Sequence, residues 1–365
     1  MEQKKVCVGV VGAGAISDIY LKNMINRFDN LSVKSICAAH LESAQKKAKE
    51  YGIQAVTMEE MLDDPEIRMI VNLTPAHTHY SVIRAALEHG KHVYTEKTLT
   101  DDIHKSAELV RLANEKGLYL GSAPDTFMGA ALQTARSAID SGMLGEIHSF
   151  AVSANRNNDI LLSLFDFLRK PGGGIVCDYA VYYVTALVSL LGPVTRVGSI
   201  VGYPYPTHVN CVPGTPLYGQ TMDTPNESQV NAVLQFENGV TGTFHIDADS
   251  VMEDQAYFTI YGTKGILILT DPNQFGGQVR FLPNIPNPAD RQEPSVLQSV
   301  NEYSDNSRGI GPADLADTIL NGTPLRPSAE MAYHVHEVLN AMLEGGTSGG
   351  FTDIRSSCVR PEPLR

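Results

Sequence analysis

A chain of 365 residues with 43% hydrophobic side chains is longer than one compact core usually supports, so two domains are expected. Its 41 acidic side chains outnumber 28 basic ones, for a formal charge of -13, and no basic run offsets them. That balance argues against a nucleic-acid backbone or an anionic membrane surface as partner and favours a small molecule or another protein. Five scattered cysteines, Cys7, Cys37, Cys177, Cys211 and Cys358, fit reduced thiols of a cytoplasmic protein rather than a disulfide or zinc framework. The opening MEQKKVCVGVVGAG has no apolar run leading to a small-residue cleavage site, and no stretch approaches the ~18 uninterrupted apolar residues of a membrane span.

The first third alternates strand and helix. KVCVGVV (5 to 11) is a β-branched run ending in Gly12, and AISDIYLKNMINRF (15 to 28) has helical apolar spacing. VKSICAA (33 to 39), IRMIVNLT (67 to 74) and KHVYTEK (91 to 97) read as further strands, with ESAQKKAKEYG (42 to 52) and HYSVIRAALEHG (79 to 90) as helices between them. Short connections, and strands without strict polar alternation, describe a parallel sheet covered by helices.

GVVGAGAIS (9 to 17) sits where the first strand passes into the first helix. Gly12 suits the tight turn and Gly14 the close approach of a pyrophosphate, while the helix start at Ala15 and Ile16 offers N–H groups to its charge. Ser17 takes the third position of this dinucleotide fingerprint, where Gly or Ala is usual, and is small enough for close helix packing. The acid expected to hold the adenosine ribose, roughly 20 residues on, is absent. His40 stands at that strand tip, followed by Glu42, so NAD and NADP both stay open, as does an exposed histidine without a ligand.

The strand ends carry more. NLTPAHTHYSVIRAALEHGKHVYTEKTL (72 to 99), the glycine turn, GGGIVCDYAVYYVTALVSLLG (172 to 192) and RPSAEMAYHVHEVLNAML (326 to 343) together resemble the Gfo/Idh/MocA family of nicotinamide-dependent sugar, glycoside and inositol oxidoreductases. The resemblance covers nearly the whole chain. It implies a Rossmann domain over 1–124 and, over 125–365, a substrate-binding and oligomerisation α+β domain with a mostly antiparallel open sheet. It implies NAD, with NADP open, and a homodimer or higher homo-oligomer paired through that sheet.

The family's Glu-Lys-Pro strand end reads Glu96, Lys97 and Thr98 here, so the resemblance gives Lys97 the place beside the reacting hydroxyl. An ammonium there stabilises developing alkoxide character. With threonine in place of proline, a trans peptide is expected, since the cis form costs ~3 kcal/mol without proline. Thr74, Pro75, His79 and Glu96 are placed by the resemblance on the cofactor side, His79 as packing or loop support. His77 and His79 have no carboxylate partner in view, and no metal site is expected.

After the triple glycine, Asp178 matches the family's aspartate, and Tyr182 stands where its histidine would be. In a helix the two are four apart and share a face, whereas Tyr183 points elsewhere. A phenol with a pKa near about 10 is a poor base at neutral pH, but an adjacent ammonium lowers that value. Tyr182 thus reads as catalytic acid/base, as substrate-binding phenol or as core tyrosine, and Asp178 as holder of sugar hydroxyls or itself the base.

In the second domain, TFMGAALQTARSAIDSGMLGEI (126 to 147) reads as a helix and HSFAVSAN (148 to 155) as a strand. TRVGSIVGY (195 to 203), 228 to 249, 255 to 270 and QVRFLP (278 to 283) follow as strands, with hairpins around ENG and GTKG. Asp125, Asn155 and Arg156 are candidates for substrate contact, with capping of the following helix the alternative for Asp125. The loop 202 to 228 is too long for a simple connector, and is expected to rim the cleft or reach another subunit.

The function implied is reversible oxidation of a secondary hydroxyl of a sugar or glycoside, ring C3 being the preferred position, in a cytoplasmic enzyme. An inositol dehydrogenase, an enzyme that retains NAD to cleave glycosides without net redox, and a non-catalytic sugar or nucleotide sensor are the competing readings.

Overall fold

The computed structural model describes residues 5–251, 256–348 and 350–364. The first four residues of the opening stretch, and the expected strand start at Gln255, lie outside the described residues. Two compact units divide the chain: Met1–Asp125 with Asn306–Tyr333, and Thr126–Asp305 with His334–Arg365.

In the first unit β1 (Val6–Val11), α1 (Ser17–Asn26), β2 (Leu31–Cys37), α2 (Leu41–Tyr51), β3 (Gln54–Ala55) and α3 (Met58–Asp63) are followed by β4 (Met69–Asn72), α4 (Ala76–Glu88), β5 (His92–Thr95), α5 (Ile103–Glu115) and β6 (Leu120–Ser122). All pairings are parallel, in the order β3-β2-β1-β4-β5-β6. The apolar side chains of β1 and β4 are buried on both faces, as a covered parallel sheet requires. Strand order reverses at β1, between β2 and β4, and the carboxyl ends of β1 and β4 form the switch point where ligands of such sheets bind.

The second unit holds α6 (Ala130–Asp140), β7 (Ile147–Asn155), α7 (Asn158–Leu164), a π turn (Val176–Ala180) continuing into α8 (Val181–Leu191), β8 (Val194–Gly202), β9 (Thr207–Val209) and β10 (Thr221–Asp223). It goes on with β11 (Gln229–Phe236), β12 (Thr241–Asp247), β13 (Ala256–Gly262), β14 (Gly265–Leu269), β15 (Arg280–Pro283) and β16 (Ser295–Val296). After α9 (Ile310–Asn321), which lies against β1, β5, β6 and α1 of the first unit, come α10 (Ala329–Ser348) and β17 (Phe351–Asp353). The nine-stranded sheet runs β16-β15-β14-β13-β7-β12-β11-β8-β17, antiparallel except for the parallel pair β12 and β7.

Strict alternation along β11 buries Val230, Ala232, Leu234 and Phe236 and leaves the opposite face exposed. On the buried side, Tyr183 of α8 packs against Phe244 and Phe258, with ring centroids at 6.2 and 5.9 Å. The helix expected over 126 to 147 is shorter: a 3-10 turn precedes α6, and Gly142, at φ +73°, follows its end. Among the described residues, no helix is long and apolar enough to cross a membrane.

Candidate cofactor and active sites

The turn after β1 has the geometry its glycines suggest. Gly12 has φ +112°, and a Cβ added there would lie 2.8 Å from the Leu73 carbonyl group, so no other residue fits without displacing backbone. Gly14 has nothing within 4 Å of such an atom, leaving an open approach. Ser17 is buried, and its Oγ donates to the Gly14 carbonyl at 2.6 Å. No side chain caps the start of α1 at Ile16, and Gly14 and Ala15 are exposed. An open turn backed by an uncapped helix N-terminus fits a pyrophosphate. Gly12→Ala is therefore expected to lower stability by about 2 kcal/mol or more and to abolish dinucleotide binding, as urea melts and calorimetric titration would read. His40 is exposed just before α2 and makes no cap bond.

Below the switch point, a polar network shapes the loop after β4. Buried Asn72 donates from Nδ2 to Thr95 Oγ1 at 3.0 Å, and its Oδ1 accepts the Thr74 hydroxyl at 2.7 Å. Thr78 donates in turn to Thr74 Oγ1 at 2.8 Å, and Pro75 stands at the start of α4. His79 is fully buried, with Nδ1 2.8 Å from the Thr98 carbonyl oxygen and Nε2 2.7 Å from that of Thr74. Burial lowers its pKa, against the pull of the two carbonyls. With its ring enclosed, His79 ties the Thr74 loop to the turn after β5. His77 is exposed, so the two histidines share no site, and no group of three or more metal-ligand side chains occurs among the described residues.

That turn carries Glu96 and Lys97. Buried Tyr20 of α1 donates to Glu96 Oε1 at 2.8 Å, while the Lys97 N–H donates to Glu96 Oε2 at 3.1 Å. Burial, then the charges of Glu96 and Asp125, push the Tyr20 pKa far upward, so its phenol stays a neutral donor. The Lys97–Thr98 peptide is cis, contrary to the trans form expected from threonine. Thr98 is buried there, its hydroxyl donating to the Thr100 carbonyl at 2.7 Å and its own carbonyl facing His79. Neither Tyr20 nor Asn72 is marked as a site residue by sequence spacing.

Asp125 closes the first segment of the first unit. It is 1% exposed, and its Oδ2 accepts the N–H groups of Gly309 and Gly311 at 3.3 and 3.1 Å, at the start of α9. Asp125 thus caps α9, a helix far along the chain, and not the helix that follows it. Burial raises its pKa to about 6, opposed mainly by Arg308. An unfolded Asp125 loses its proton near about 4, whereas the folded one keeps it to about 6, so the folded state binds more protons in between and stability falls as pH rises through that window. Asp125→Asn is expected to remove that slope, worth about 3 kcal/mol, in urea melts across the same pH range.

In the second unit the four residues Asp178, Tyr179, Tyr182 and Tyr183 divide cleanly. Tyr179 and Tyr183 are buried, with hydroxyls 3.2 Å apart, and Tyr179 donates to Asp271 Oδ2 at 2.9 Å. Burial, reinforced by Asp271, pushes both phenols well above their ordinary range, so they stay neutral. Asp178 and Tyr182, four apart, are half-buried on the other face. The π turn stands at Asp178, a feature frequent at functional sites. Arg156 lies over the Tyr179 ring, its guanidinium carbon 4.5 Å from the centroid, and Asn155 donates to Ser250 Oγ at 3.0 Å at the end of β7.

Two of the three glycines have a packing cause, whereas Gly172, at φ +79°, has open space around it. A Cβ on Gly173 would lie 2.4 Å from the Phe167 carbonyl oxygen, and one on Gly174 2.1 Å from Glu227 Oε1. Glu227, unmarked by any motif, is 8% exposed, and burial raises its pKa. Asp178 and Glu227 line one small recess, open to solvent, with Asn158, Leu162, Thr224 and Asn226. The long loop folds back on α7: His208 Nδ1 lies 2.7 Å from Asp159 Oδ1, and the Cys211 N–H donates to Ser163 Oγ at 3.1 Å. Lys97 and the glycine turn thus belong to the first unit, and Asn155, Arg156, Asp178 and Tyr182 to the second.

The family profile described as the Gfo/Idh/MocA oxidoreductase family, NAD-binding Rossmann fold, matches residues 6–123, and that of the Gfo/Idh/MocA C-terminal domain matches 132–268. The uncharacterized oxidoreductase YhhX of Escherichia coli (strain K12) is 30% identical over 192 residues, 50% of this chain and 52% of its own length. The chain therefore spans about half the length of that relative. Trans-1,2-dihydrobenzene-1,2-diol dehydrogenase of Bos taurus is 25% identical over 268 residues, 72% of this chain and 74% of the relative. Levoglucosan dehydrogenase in complex with NADH superposes with a TM-score of 0.84 at 18% identity, covering 97% of this chain and 100% of that one, which shows the shared fold. With both of its domains matched in order, the chain belongs to the Gfo/Idh/MocA oxidoreductase family.

Proposed function

We propose that the protein is an NAD(P)-dependent dehydrogenase that reversibly oxidises a secondary hydroxyl of a sugar, glycoside or cyclitol to the ketone. One observation carries this reading: Asp178 and Tyr182 occupy the half-exposed face of a helix whose other tyrosines are sealed in the core. The open Gly14 approach and the uncapped α1 start would hold the dinucleotide's pyrophosphate. The bound nicotinamide supplies the hydride acceptor.

The chain's own residues manage the proton and the charge. Lys97 favours alkoxide character in the reacting hydroxyl, and Tyr182 takes its proton in oxidation and returns it in reduction. Asp178, with the polar lining of its recess, orients neighbouring hydroxyls. The exposed sheet face, with Ile200, Val233 and Tyr257 among its large apolar side chains, is the proposed pairing surface of a homodimer or higher oligomer.

The test is purified protein with NAD+ and, separately, NADP+, against free sugars, inositols and O- and C-glycosides, followed by the near-ultraviolet absorbance of reduced nicotinamide. A rise confined to polyhydroxylated alcohols supports the reading and selects the cofactor. No rise with any of them, in a protein that binds dinucleotide, contradicts net dehydrogenation.

A further inference from the structure

We infer that Glu227 is a positioning residue for Asp178 and Tyr182, holding the first turn of their helix from the far end of the long loop; the catalytic consequence rests on the dehydrogenase reading. Residues 226, 227 and 228 each grip a different piece of the site. Asn226 Nδ2 donates to the Leu168 and Lys170 carbonyls at 2.8 and 2.7 Å, fixing the segment before the triple glycine. Ser228 donates its hydroxyl to Asp249 and its N–H to the Gly202 carbonyl at 3.1 Å, fixing the sheet side.

Between them, Glu227 meets the helix start twice. Its main-chain carbonyl accepts the Ile175 N–H at 3.1 Å, and its side-chain Oε1 accepts the Val176 N–H at 3.0 Å. The Asp178 N–H is satisfied within the turn, by the Gly174 carbonyl at 2.8 Å. Donors at a helix start lack partners within their own helix, and a carboxylate placed there also complements the helix dipole. The bare Cα of Gly174 makes the approach possible, since any β-carbon would overlap the carboxylate. The third glycine is thereby explained by Glu227, and Glu227 by the helix it caps.

Asp178 lies two residues beyond Val176, and Tyr182 six. A shift of the first turn moves both side chains, and small displacements of catalytic groups cost about a hundredfold in rate. Glu227 also faces the recess that Asp178 lines, so the loop ending at 228 is coupled to the helix start through this residue's carboxylate and main-chain carbonyl.

The experiment compares wild type, Glu227→Gln and Glu227→Ala by amide hydrogen exchange at Ile175 and Val176 and by kcat and KM. Glutamine keeps an acceptor for Val176. Ile175 is an internal control, because its partner is main chain and survives both substitutions. The expected result is about tenfold faster exchange at Val176 alone in the alanine variant, restored in the glutamine variant. With it, kcat is expected to fall about thirtyfold in the alanine variant, with KM for the dinucleotide unchanged and most of the rate recovered by glutamine. Unchanged Val176 exchange, equal loosening of all amides, or an unchanged kcat in Glu227→Ala would each overturn the inference. A wild type without turnover overturns the dehydrogenase reading instead, and the exchange arm then decides the capping role by itself.

Discussion

Lys97→Ala is expected to lower kcat by about a thousandfold while leaving dinucleotide affinity within about threefold. The side chain follows a turn whose geometry is set by other groups. Glu96 is held by Tyr20 and by the Lys97 main chain, and Thr98 by Thr100 and His79. Removing the ammonium therefore leaves the backbone in place. What is lost is a positive charge beside an oxygen that becomes more negative as hydride departs, an interaction stronger in the transition state than in the ground state. Steady-state kinetics at saturating substrate and cofactor, paired with calorimetric titration of the dinucleotide, separate the two effects. Lys97→Arg is expected to recover only part of the rate, because a planar guanidinium does not reproduce a compact point charge.

Tyr182→Phe is expected to lower kcat by at least about a hundredfold, with little effect on folding because the ring stays half-buried on its face. Tyr183→Phe provides the contrast. Its hydroxyl lies 3.2 Å from the Tyr179 hydroxyl inside the core, so its loss should register in stability and hardly in rate. Tyr182→His places a group with a pKa near about 6.5 where the phenol was. If Tyr182 handles the proton, this variant keeps turnover and its activity extends to lower pH than wild type. If the phenol only binds substrate, the pH profile does not move and the change appears in KM.

Much of this was legible because local chemistry and global fold agree. The glycine turn needs only a strand, a tight turn and a helix in sequence, and Gly12 at φ +112° is the geometry its position implies. The helical period alone separates Asp178 and Tyr182 from Tyr183, and the buried Tyr179 completes the opposite face. Hairpins at Gly239 and at Gly262 to Gly265 follow from their turn residues.

The rest depends on partners far along the chain, which no local pattern reports. Asp125 resembles a cap for the helix that follows it, but its carboxylate serves α9, 184 and 186 residues away. The return of 306–333 to the first unit leaves no mark in composition, although the motif over 326 to 343 straddles the crossing at Tyr333. Glu227 lies within a polar loop, and only the missing β-carbon of Gly174 shows why a carboxylate belongs there. The cis Lys97–Thr98 bond ran against the residue preference, in a turn whose hydrogen bonds are made by His79 and Thr100.

The most direct measurement of the central claim follows the hydrogen itself. The protein would be given a sugar, inositol or glycoside deuterated at the reacting carbinol carbon, with oxidised cofactor, and the deuterium located by NMR and mass spectrometry. The account predicts one deuterium at C4 of the nicotinamide, delivered to a single face, and a ketone at the labelled carbon. Deuterium that remains on carbon, or passes to solvent with the nicotinamide unlabelled, would contradict hydride transfer as the chemistry of this site.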